Sequence, residues 1–466
     1  MLILPVIVLL PFVAAAVSLL VKEKYSYTIS IIASSLVLLL AAAAVLFAYS
    51  YSLQSVSFSV PYINSIGISL GLSFTSFSVL LSLMTAIVFF SASLVGNYFI
   101  KGSRLYNLLF LVAEGASMGV FLASNLFLFY VFWEVAEVMM FFIIFLFGGY
   151  ERRYAAIKFI IYSLVSSLLL LIAIMLLYSY TSTFEISSIA SSAAQVPQSI
   201  QLIITLMLML TFMIKMPAFP FHSWLPDAHT EAPATGSMIL AGVLLKFGGY
   251  GLLLMFLLVP LAHSYAAYIA LIFIFSTLYS AIVTFRQSNI KRLIAYTSIT
   301  DMGIVGVAAA ASGIIGNSGA IYGMVSHAFA ISILFMIAGS LDETYGTLEW
   351  RKIAGVMERF PALAYLFVLG TFMVVGLPIT AGFIGDLLIF ISSFSSFGFF
   401  GIAPIAGILL IGAVLFWIIE KVFVGPYSRI EPYSQPDISV AYAGIFLAIC
   451  SIVFGLLPFI FVGALT

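Results

Sequence analysis

Acidic and basic side chains interrupt several of the most apolar stretches of this sequence. Glu134 and Glu137 lie three residues apart and therefore project from one face of a helix. Two like charges in a low dielectric push one carboxyl toward its neutral form unless a cation lies close, and Lys215 is the candidate cation. Because a buried lysine can lose its proton, whereas arginine stays charged, a Glu and Lys pair at an adjustable distance would work as a proton switch.

The other ionisable residues inside apolar sequence extend this pattern along the chain. A lone charge at the centre of a membrane helix costs roughly 2.5–3.5 kcal/mol on insertion scales, so such residues normally face the interior of a bundle or a hydrated cavity. A single buried pair often only fixes helix packing, but a whole row of charges favours ion transport. The row predicted to form a proton pathway consists of Glu114, Glu134, Glu137, Lys215, Lys246, Asp301, His327 and Asp386.

Some polar residues are better explained by structure than by transport. Glu137, Glu420 and Lys421 have neighbourhoods that let them reach an interface by snorkelling, which favours a structural role for these three. His222 and His229 lie with Asp227 where a helix restarts, and capping and turn formation are a sufficient explanation there. We therefore assign no catalytic, metal-ligating or cofactor-binding residues.

Two apolar stretches contain residues that interrupt a helix beside a charge. Pro217 and Pro220 follow Lys215 directly, and a helix cannot continue unbroken through them. Pro378 interrupts a second stretch, ahead of Asp386. Paired interrupted helices are typical of internal repeats in transporters, where the freed backbone groups line a hydrated cavity.

The elements that position these residues must be membrane helices. Of the 466 residues, 64% are hydrophobic and 7% charged, whereas soluble domains carry about 25% charged residues, which excludes a soluble fold. The single cysteine, Cys450, excludes a disulfide framework and thiolate clusters for iron–sulfur centres. We predict an all-α integral membrane protein with fourteen spans, near residues 2–21, 28–50, 74–99, 105–122, 125–148, 155–180, 199–217, 234–257, 264–286, 290–311, 317–340, 361–395, 401–424 and 438–463.

The basic residues indicate how these spans cross. Lys and Arg concentrate on cytoplasmic connections, and here they fall on the odd-numbered ones. Both termini are then expected to face away from the cytoplasm. The membrane is expected to be the inner membrane of a prokaryote. Only Lys215 and Lys246 are left for the hydrocarbon region. The residues on odd connections are Lys22, Lys24, Lys101, Arg104, Arg152, Arg153, Lys158, Arg286, Lys291, Arg292, Arg351, Lys352, Arg359, Lys421 and Arg429.

The two interrupted spans divide the chain into four predicted parts. Spans one to three occupy residues 1–104, and span fourteen occupies residues 425–466. Between them, residues 105–257 hold spans four to eight, and residues 258–424 hold spans nine to thirteen. Because one broken span lies in each of these two middle parts, we interpret them as two structural repeats.

Four segments identify a resemblance to a known family. KMPAFPFHSWLPDAHTEAPATGSMILAGVLLKFGGYG at 215–251 and FLFYVFWEVAEVMMFFIIFLFGGYERRYAAIKF at 127–159 closely resemble the antiporter-like membrane subunits of respiratory complex I. QSNIKRLIAYTSITDMG from Gln287 and GLPITAGFIGDLL from Gly376 extend the resemblance over nearly the whole chain. It looks most like the subunit M (mitochondrial subunit 4) type. Subunits of multisubunit sodium/proton antiporters and of membrane-bound hydrogenases have the same fold.

The resemblance implies a role for each member of the charge row. In that family two inverted repeats each form a half-channel. By resemblance, Glu134 and Lys215 are the pair of the first half, Lys246 is the central relay, and His327 and Asp386 belong to the second half.

Three further positions qualify the match. Glu114 matches an acid in the fourth helix of the family. Asp301 stands where the M-type pattern usually has histidine, and Asp386 where it usually has glutamate. Proton transfer in the second half is therefore expected to use a different arrangement of side chains in this chain.

The resemblance also implies partners and a function. We expect a proton-pumping subunit, without redox chemistry of its own, in a quinone oxidoreductase that takes electrons from NADH or another donor. Quinone and iron–sulfur clusters are expected in partner subunits, sister antiporter-like subunits beside the chain in the bilayer, and no nucleic acid. Four alternatives stay open: a sodium/proton antiporter subunit, a membrane-bound hydrogenase subunit, a stand-alone cation transporter, and a passive scaffold.

Overall fold

The computed structural model describes residues 3–50, 56–425 and 430–458 of the protein. Leu2 at the start of predicted span one, Arg429, and residues 459–463 at the end of predicted span fourteen lie outside the described residues. Almost all of the described chain is helical. The helices are α1 (Ile3–Leu20), α2 (Glu23–Ser50), α3 (Ser76–Ile100), α4 (Arg104–Leu122), α5 (Leu126–Phe147), α6 (Arg152–Thr181), α7 (Ile186–Ser192), α8 (Gln198–Lys215), α9 (Trp224–Glu231), α10 (Ala234–Ile239), α11 (Leu245–Leu258), α12 (Ala266–Thr284), α13 (Ile290–Ala311), α14 (Gly313–Tyr345), α15 (Val356–Arg359), α16 (Pro361–Val374), α17 (Ala381–Phe397), α18 (Ala403–Ile418) and α19 (Ile438–Leu456).

The number of crossings agrees with the sequence prediction. Within the described residues, 13 helices are long and apolar enough to cross a membrane, and the longest covers the 44 residues Ala381–Val424. At 1.5 Å per residue that stretch would be about 66 Å long, roughly twice the hydrocarbon thickness. It turns at Gly398, which has φ +57°, so α17 and α18 belong to separate crossings. The shorter α16 (14 residues) joins α17 in one broken crossing, which gives the predicted fourteen.

Both predicted helix breaks are present. α8 ends at Lys215, and turns that include Pro217 and Pro220 lead to the short α9. The second break separates α16 from α17 and contains Pro378. Gly376 and Ile379 both have positive φ there, at +68° and +88°. For a β-branched residue this conformation is strained and persists only where the surrounding structure holds it.

A β-hairpin between α2 and α3 was not anticipated from the sequence. Strands β1 (Ser57–Ile63) and β2 (Ile68–Ser73) pair antiparallel, with Ser57 opposite Ser73. Leu72 continues the pairing to Ala123, in the connection before α5. The hairpin therefore covers the ends of α3 and α5 on one side of the bundle.

The interior and the periphery of the bundle are distinct. α11, α13 and α14 are buried along nearly their whole length. α1, α2 and α6 instead expose rows of aliphatic side chains, among them Ile157, Ile161 and Leu164 on α6. Because a lipid-facing surface is as apolar as the core, these rows mark the membrane-exposed flank. Three members of the charged row, Lys246, Asp301 and His327, lie on these interior helices.

Candidate functional site

Lys215 occupies the last position of α8, where the following proline ends the helix. Its ammonium forms an ion pair with Glu137, and both side chains are only 1% exposed. Two sequence expectations are therefore corrected: the contact falls on Glu137 rather than on Glu134, and Glu137 does not reach an interface. The physical reason is the rotation along α5, which turns Glu137 into the bundle and leaves Glu134 half-buried.

Aromatic rings surround the Lys215 ammonium. Its Nζ atom lies 5.6 Å from the ring centre of Trp133, 5.4 Å from that of Phe159 and 5.8 Å from that of Trp224. The Trp224 indole is anchored by donating its N–H to Ile214 O at 3.0 Å. Cations are attracted to such ring faces, most strongly where water is excluded. One carboxylate and three rings thus surround this charge in a buried site, and the sequence analysis did not foresee the rings.

Glu114 is wholly buried but stands apart from this pair. Its Oε2 accepts a hydrogen bond of 2.7 Å from Ser34 Oγ, which joins α4 to α2. Among the described residues no lysine, arginine or histidine forms an ion pair with it. Its membership of the pathway stays a prediction.

Lys246 lies at the start of α11, just after a π-helical segment over Leu240–Leu244. Its Nζ donates to Ala241 O at 2.5 Å and lies 2.5 Å from His327 Nδ1 on α14. π-helical segments are rare and are frequent at functional sites. Lys246 is therefore in direct hydrogen-bond contact with the next member of the predicted row.

His327 connects Lys246 to the second half of the chain. Its Nε2 lies 3.1 Å from Ser298 Oγ and 4.0 Å from Asp301 Oδ2, both on α13. Asp301, His327 and Asp386 line one small cavity of about 20 Å³, enough for a single water molecule. The two positions that depart from the family pattern thus meet in the same place.

The second helix break shapes this cavity. Gly376 faces the Asp386 carboxylate so closely that a Cβ on Gly376 would clash with it. Asp386 is thereby held between the turn of the break and the Asp301 side of the cavity. A shorter acid than glutamate fits this close approach.

Polar residues near the first break do more than cap a helix. Asp227 lies in the first turn of α9 and also forms ion pairs with Lys158 at 2.7 Å and Arg292 at 2.8 Å. His229 is wholly buried, stacks on Phe335 with ring centres 4.3 Å apart, and has no hydrogen-bond partner at either ring nitrogen among the described residues.

A third buried lysine was missed by the sequence analysis. Lys291, assigned to a loop from the pattern of basic residues, is only 5% exposed at the start of α13. No signal in the sequence separates it from the more exposed Arg292 beside it, because only the packing of α13 decides which of the two turns inward. Glu420 and Lys421, by contrast, are exposed and pair with each other at 2.8 Å, in line with their predicted structural role.

The described residues contain no group of three or more His, Cys, Asp or Glu side chains placed to hold a metal ion. What the site does offer is a series of buried groups that can each bind or release a proton. A helix bundle with interrupted crossings and such a row defines a class: membrane proteins that move protons or small cations through their interior.

Comparison with known proteins identifies the family within that class. Residues 123–411 match the model of the family described as NADH:quinone oxidoreductase/Mrp antiporter, TM, and the chain belongs to this family. NADH-quinone oxidoreductase subunit M of Rickettsia prowazekii is 37% identical over 82% of this chain and 78% of its own.

Two solved structures share the fold. A chain of respiratory complex I from Thermus thermophilus with bound NADH aligns with a TM-score of 0.90 at 25% identity, covering 99% of this chain and 97% of that one. A chain of the Mrp complex from Dietzia sp. aligns with a TM-score of 0.89 at 17% identity, covering 100% of this chain and 97% of that one. At 17% identity the second match shows similarity of fold alone.

Proposed function

We propose that this chain is a proton-translocating membrane subunit of a complex I-type quinone oxidoreductase. The observation that carries the proposal is the series of buried groups from Glu137 and Lys215 to Lys246, His327, Asp301 and Asp386. The names of the relatives support the same assignment, since the Rickettsia homologue is a subunit M. Other membrane subunits, including sister antiporter-like subunits, are the partners.

Proton transfer in this proposal begins at Lys215. While Glu137 is in contact, it stabilises the ammonium form of the lysine; when the pair separates, the lysine releases its proton more readily. Each pKa unit of such a change corresponds to about 1.4 kcal/mol. The proton then moves toward Lys246, passes to His327 and leaves by way of the cavity between Asp301 and Asp386.

The driving reaction is assigned to other subunits. Electron transfer, quinone and the iron–sulfur clusters belong to partner subunits, and this chain contributes no redox chemistry of its own. Residues 105–257 and 258–424 form two inverted repeats in this proposal, each with one broken crossing. The chain lies in a prokaryotic inner membrane with both termini facing away from the cytoplasm.

Replacement of Lys215 tests the proposal. In sealed everted membrane vesicles, Lys215→Ala is expected to abolish proton pumping while the partner subunits still reduce quinone at a measurable rate. Lys421→Ala is the matched control, because that lysine is exposed and, among the residues that the structure describes, forms its ion pair with the adjacent Glu420. If Lys215→Ala pumps at the normal rate, the proposed pathway is wrong.

A second candidate function is a subunit of an Mrp-type cation antiporter, because the description of the matched family also names the Mrp antiporter. Isolation of the chain with its bound neighbours in mild detergent, followed by mass spectrometry, separates the two. Quinone-site and iron–sulfur subunits support the first candidate. Only small antiporter subunits support the second and make sodium a candidate for the coupled ion.

A further inference from the structure

Lys291 is a buried cation that the charge row described above does not use. Its Nζ donates to Ala232 O at 3.1 Å, and among the described residues no carboxylate oxygen lies within 4.0 Å of it. The acids whose fields reach it are Asp342, Glu231 and Glu343, at a greater distance. A buried ammonium without a directly paired carboxylate is costly to keep for packing alone.

An acid-lined cavity includes Glu231, the residue before Ala232, whose carbonyl accepts the Lys291 hydrogen bond. Its volume is about 390 Å³, and its lining includes Glu151, Asp227, Glu231 and Arg292. Glu231 is fixed in the wall because its Oε2 accepts from Glu151 N at 2.8 Å. Glu151 and Arg292 in the lining belong to connections that carry the clustered basic residues, so the cavity is on the side assigned to the cytoplasm. It can bring water and protons to the cytoplasmic ends of α9 and α13.

His229 is the next titratable group inward. Lys291 donates to Ala232 O, three residues beyond His229, and the His229 ring stacks on Phe335 of α14. The imidazole therefore lies between the Lys291 contact and α14, the helix that carries His327. Its ring nitrogens have no hydrogen-bond partner among the described residues. A neutral imidazole can accept a proton at one nitrogen and release one from the other, which suits a relay position.

Two unpaired hydroxyl groups lie on α14 near His229, and one of them is on the side toward the centre of the row. Ser340 and Ser332 on α14 are both buried without a hydrogen-bond partner among the described residues. Ser332 Oγ lies against Gly242, in the π-helical segment that precedes Lys246. These hydroxyls lie on α14 to either side of Phe335, the ring that packs on His229.

We propose that Lys291 carries protons from the acid-lined cytoplasmic cavity to His229, which supplies Lys246 and His327. This inference rests on the proposed proton-pumping function and adds the inlet to it. Lysine suits the position because its ammonium can give up a proton when desolvated, whereas a guanidinium cannot. The competing role is structural, with Lys291 only anchoring the break between α9 and α10 through Ala232 O.

Two substitutions of Lys291 separate these roles in the intact complex. Lys291→Arg keeps a buried positive charge and a donor for Ala232 O but cannot release the proton. It is expected to slow pumping in everted vesicles by roughly 100-fold, the lower end of what a positioned proton-transfer group contributes. Lys291→Met, which lacks both charge and donor, is expected to lose pumping to the same extent. Lys421→Arg, on an exposed lysine, is the matched control and is expected to pump normally.

The outcomes decide between the roles. Loss of pumping in both Lys291 variants, in complexes that assemble and reduce quinone, supports the inlet. Normal pumping by Lys291→Arg overturns it, because a structural anchor is then sufficient. The Lys215→Ala variant measured in parallel distinguishes this failure from failure of the whole pathway: if Lys215→Ala also pumps normally, the proposed function itself is wrong.

A second position keeps the inlet testable if Lys291→Arg does not assemble. His229→Leu removes the relay and is expected to slow pumping as strongly. Where both variants assemble, the double variant should pump no more slowly than either single one, because the two residues act in series. Normal pumping by His229→Leu, or fully additive losses in the double variant, would contradict the proposal.

Discussion

Lys215 and Lys246 are both buried lysines, but their surroundings differ. Lys215 is held by the Glu137 carboxylate and three aromatic rings. Lys246 touches a backbone carbonyl and the His327 imidazole, and a water-sized cavity lies on the far side of that histidine. The surroundings of Lys215 stabilise its positive charge, whereas those of Lys246 provide a neighbouring group that can accept its proton. The proposed switch at Lys215 and the proposed relay at Lys246 therefore use the same side chain in different surroundings.

The two helix breaks explain part of this difference. The first is rich in proline and aromatic side chains, and Trp224 at its end closes over Lys215. The second turns through Gly376 and Ile379 with positive φ and leaves the carboxylate of Asp386 beside a cavity. The first break buries its charge among aromatic rings, whereas the second leaves a water-sized cavity beside its carboxylate.

Among the variants that test this comparison, Glu137→Gln is expected to change stability and proton pumping the most. It leaves the Lys215 ammonium buried without its carboxylate, and removing one partner of a buried ion pair costs about 3–5 kcal/mol. We expect a clearly lower unfolding temperature of the purified complex and loss of proton pumping. Glu134→Gln is the matched control, one turn away on α5 and half-buried. A greater loss from Glu134→Gln would show that Glu134 is the working partner of the lysine.

Substitutions of Asp301 and Asp386, which line the cavity beyond His327, test the surroundings of Lys246 and His327. Because both carboxylates line one water-sized space, Asp301→Asn and Asp386→Asn should slow pumping to a similar degree. The double variant should be little slower than either single one, with a coupling energy in the range of about 0.5–3 kcal/mol found for residues of one network. Pumping rates of the four proteins measure this, and additive losses would mean that the two acids act independently.

The smallest effect is expected from Trp133→Phe. The phenyl ring keeps most of the packing but weakens the attraction to the Lys215 ammonium, a loss of about 1 kcal/mol. A modest fall in unfolding temperature with pumping largely retained would fit a holding role for the ring. Trp417→Phe, where the indole packs edge-on against Trp350 with ring centres 4.7 Å apart, is the control for tryptophan loss in general. Equal falls in the two variants would remove the argument for a specific cation contact.

Much of the architecture follows from the sequence alone. The bilayer requires every backbone polar group to be satisfied within a helix or in a protected cavity, so apolar runs of sufficient length predict helices directly. Proline removes a backbone donor, so Pro217 and Pro378 locate the breaks. The cost of a charge in hydrocarbon likewise marks Lys215 and Lys246 as interior residues, because each lies within an apolar run.

Contacts between these elements depend on tertiary structure. Glu134 and Glu137 lie within one turn of α5, and only the rotation and packing of that helix decide which carboxylate meets Lys215. Adjacent basic residues at the start of α13 differ in the same way, since Lys291 is buried and Arg292 is not.

The approach of Asp301 and Asp386 to one cavity also depends on tertiary structure. They lie on different helices, far apart in the sequence, and meet only because α13 and α17 both pack against α14 around one small cavity. Local composition and hydropathy determine where a helix forms and on which side its ends lie. Which side chains exchange a proton is decided by interhelical distances of a few ångströms, which arise only when the helices are packed together.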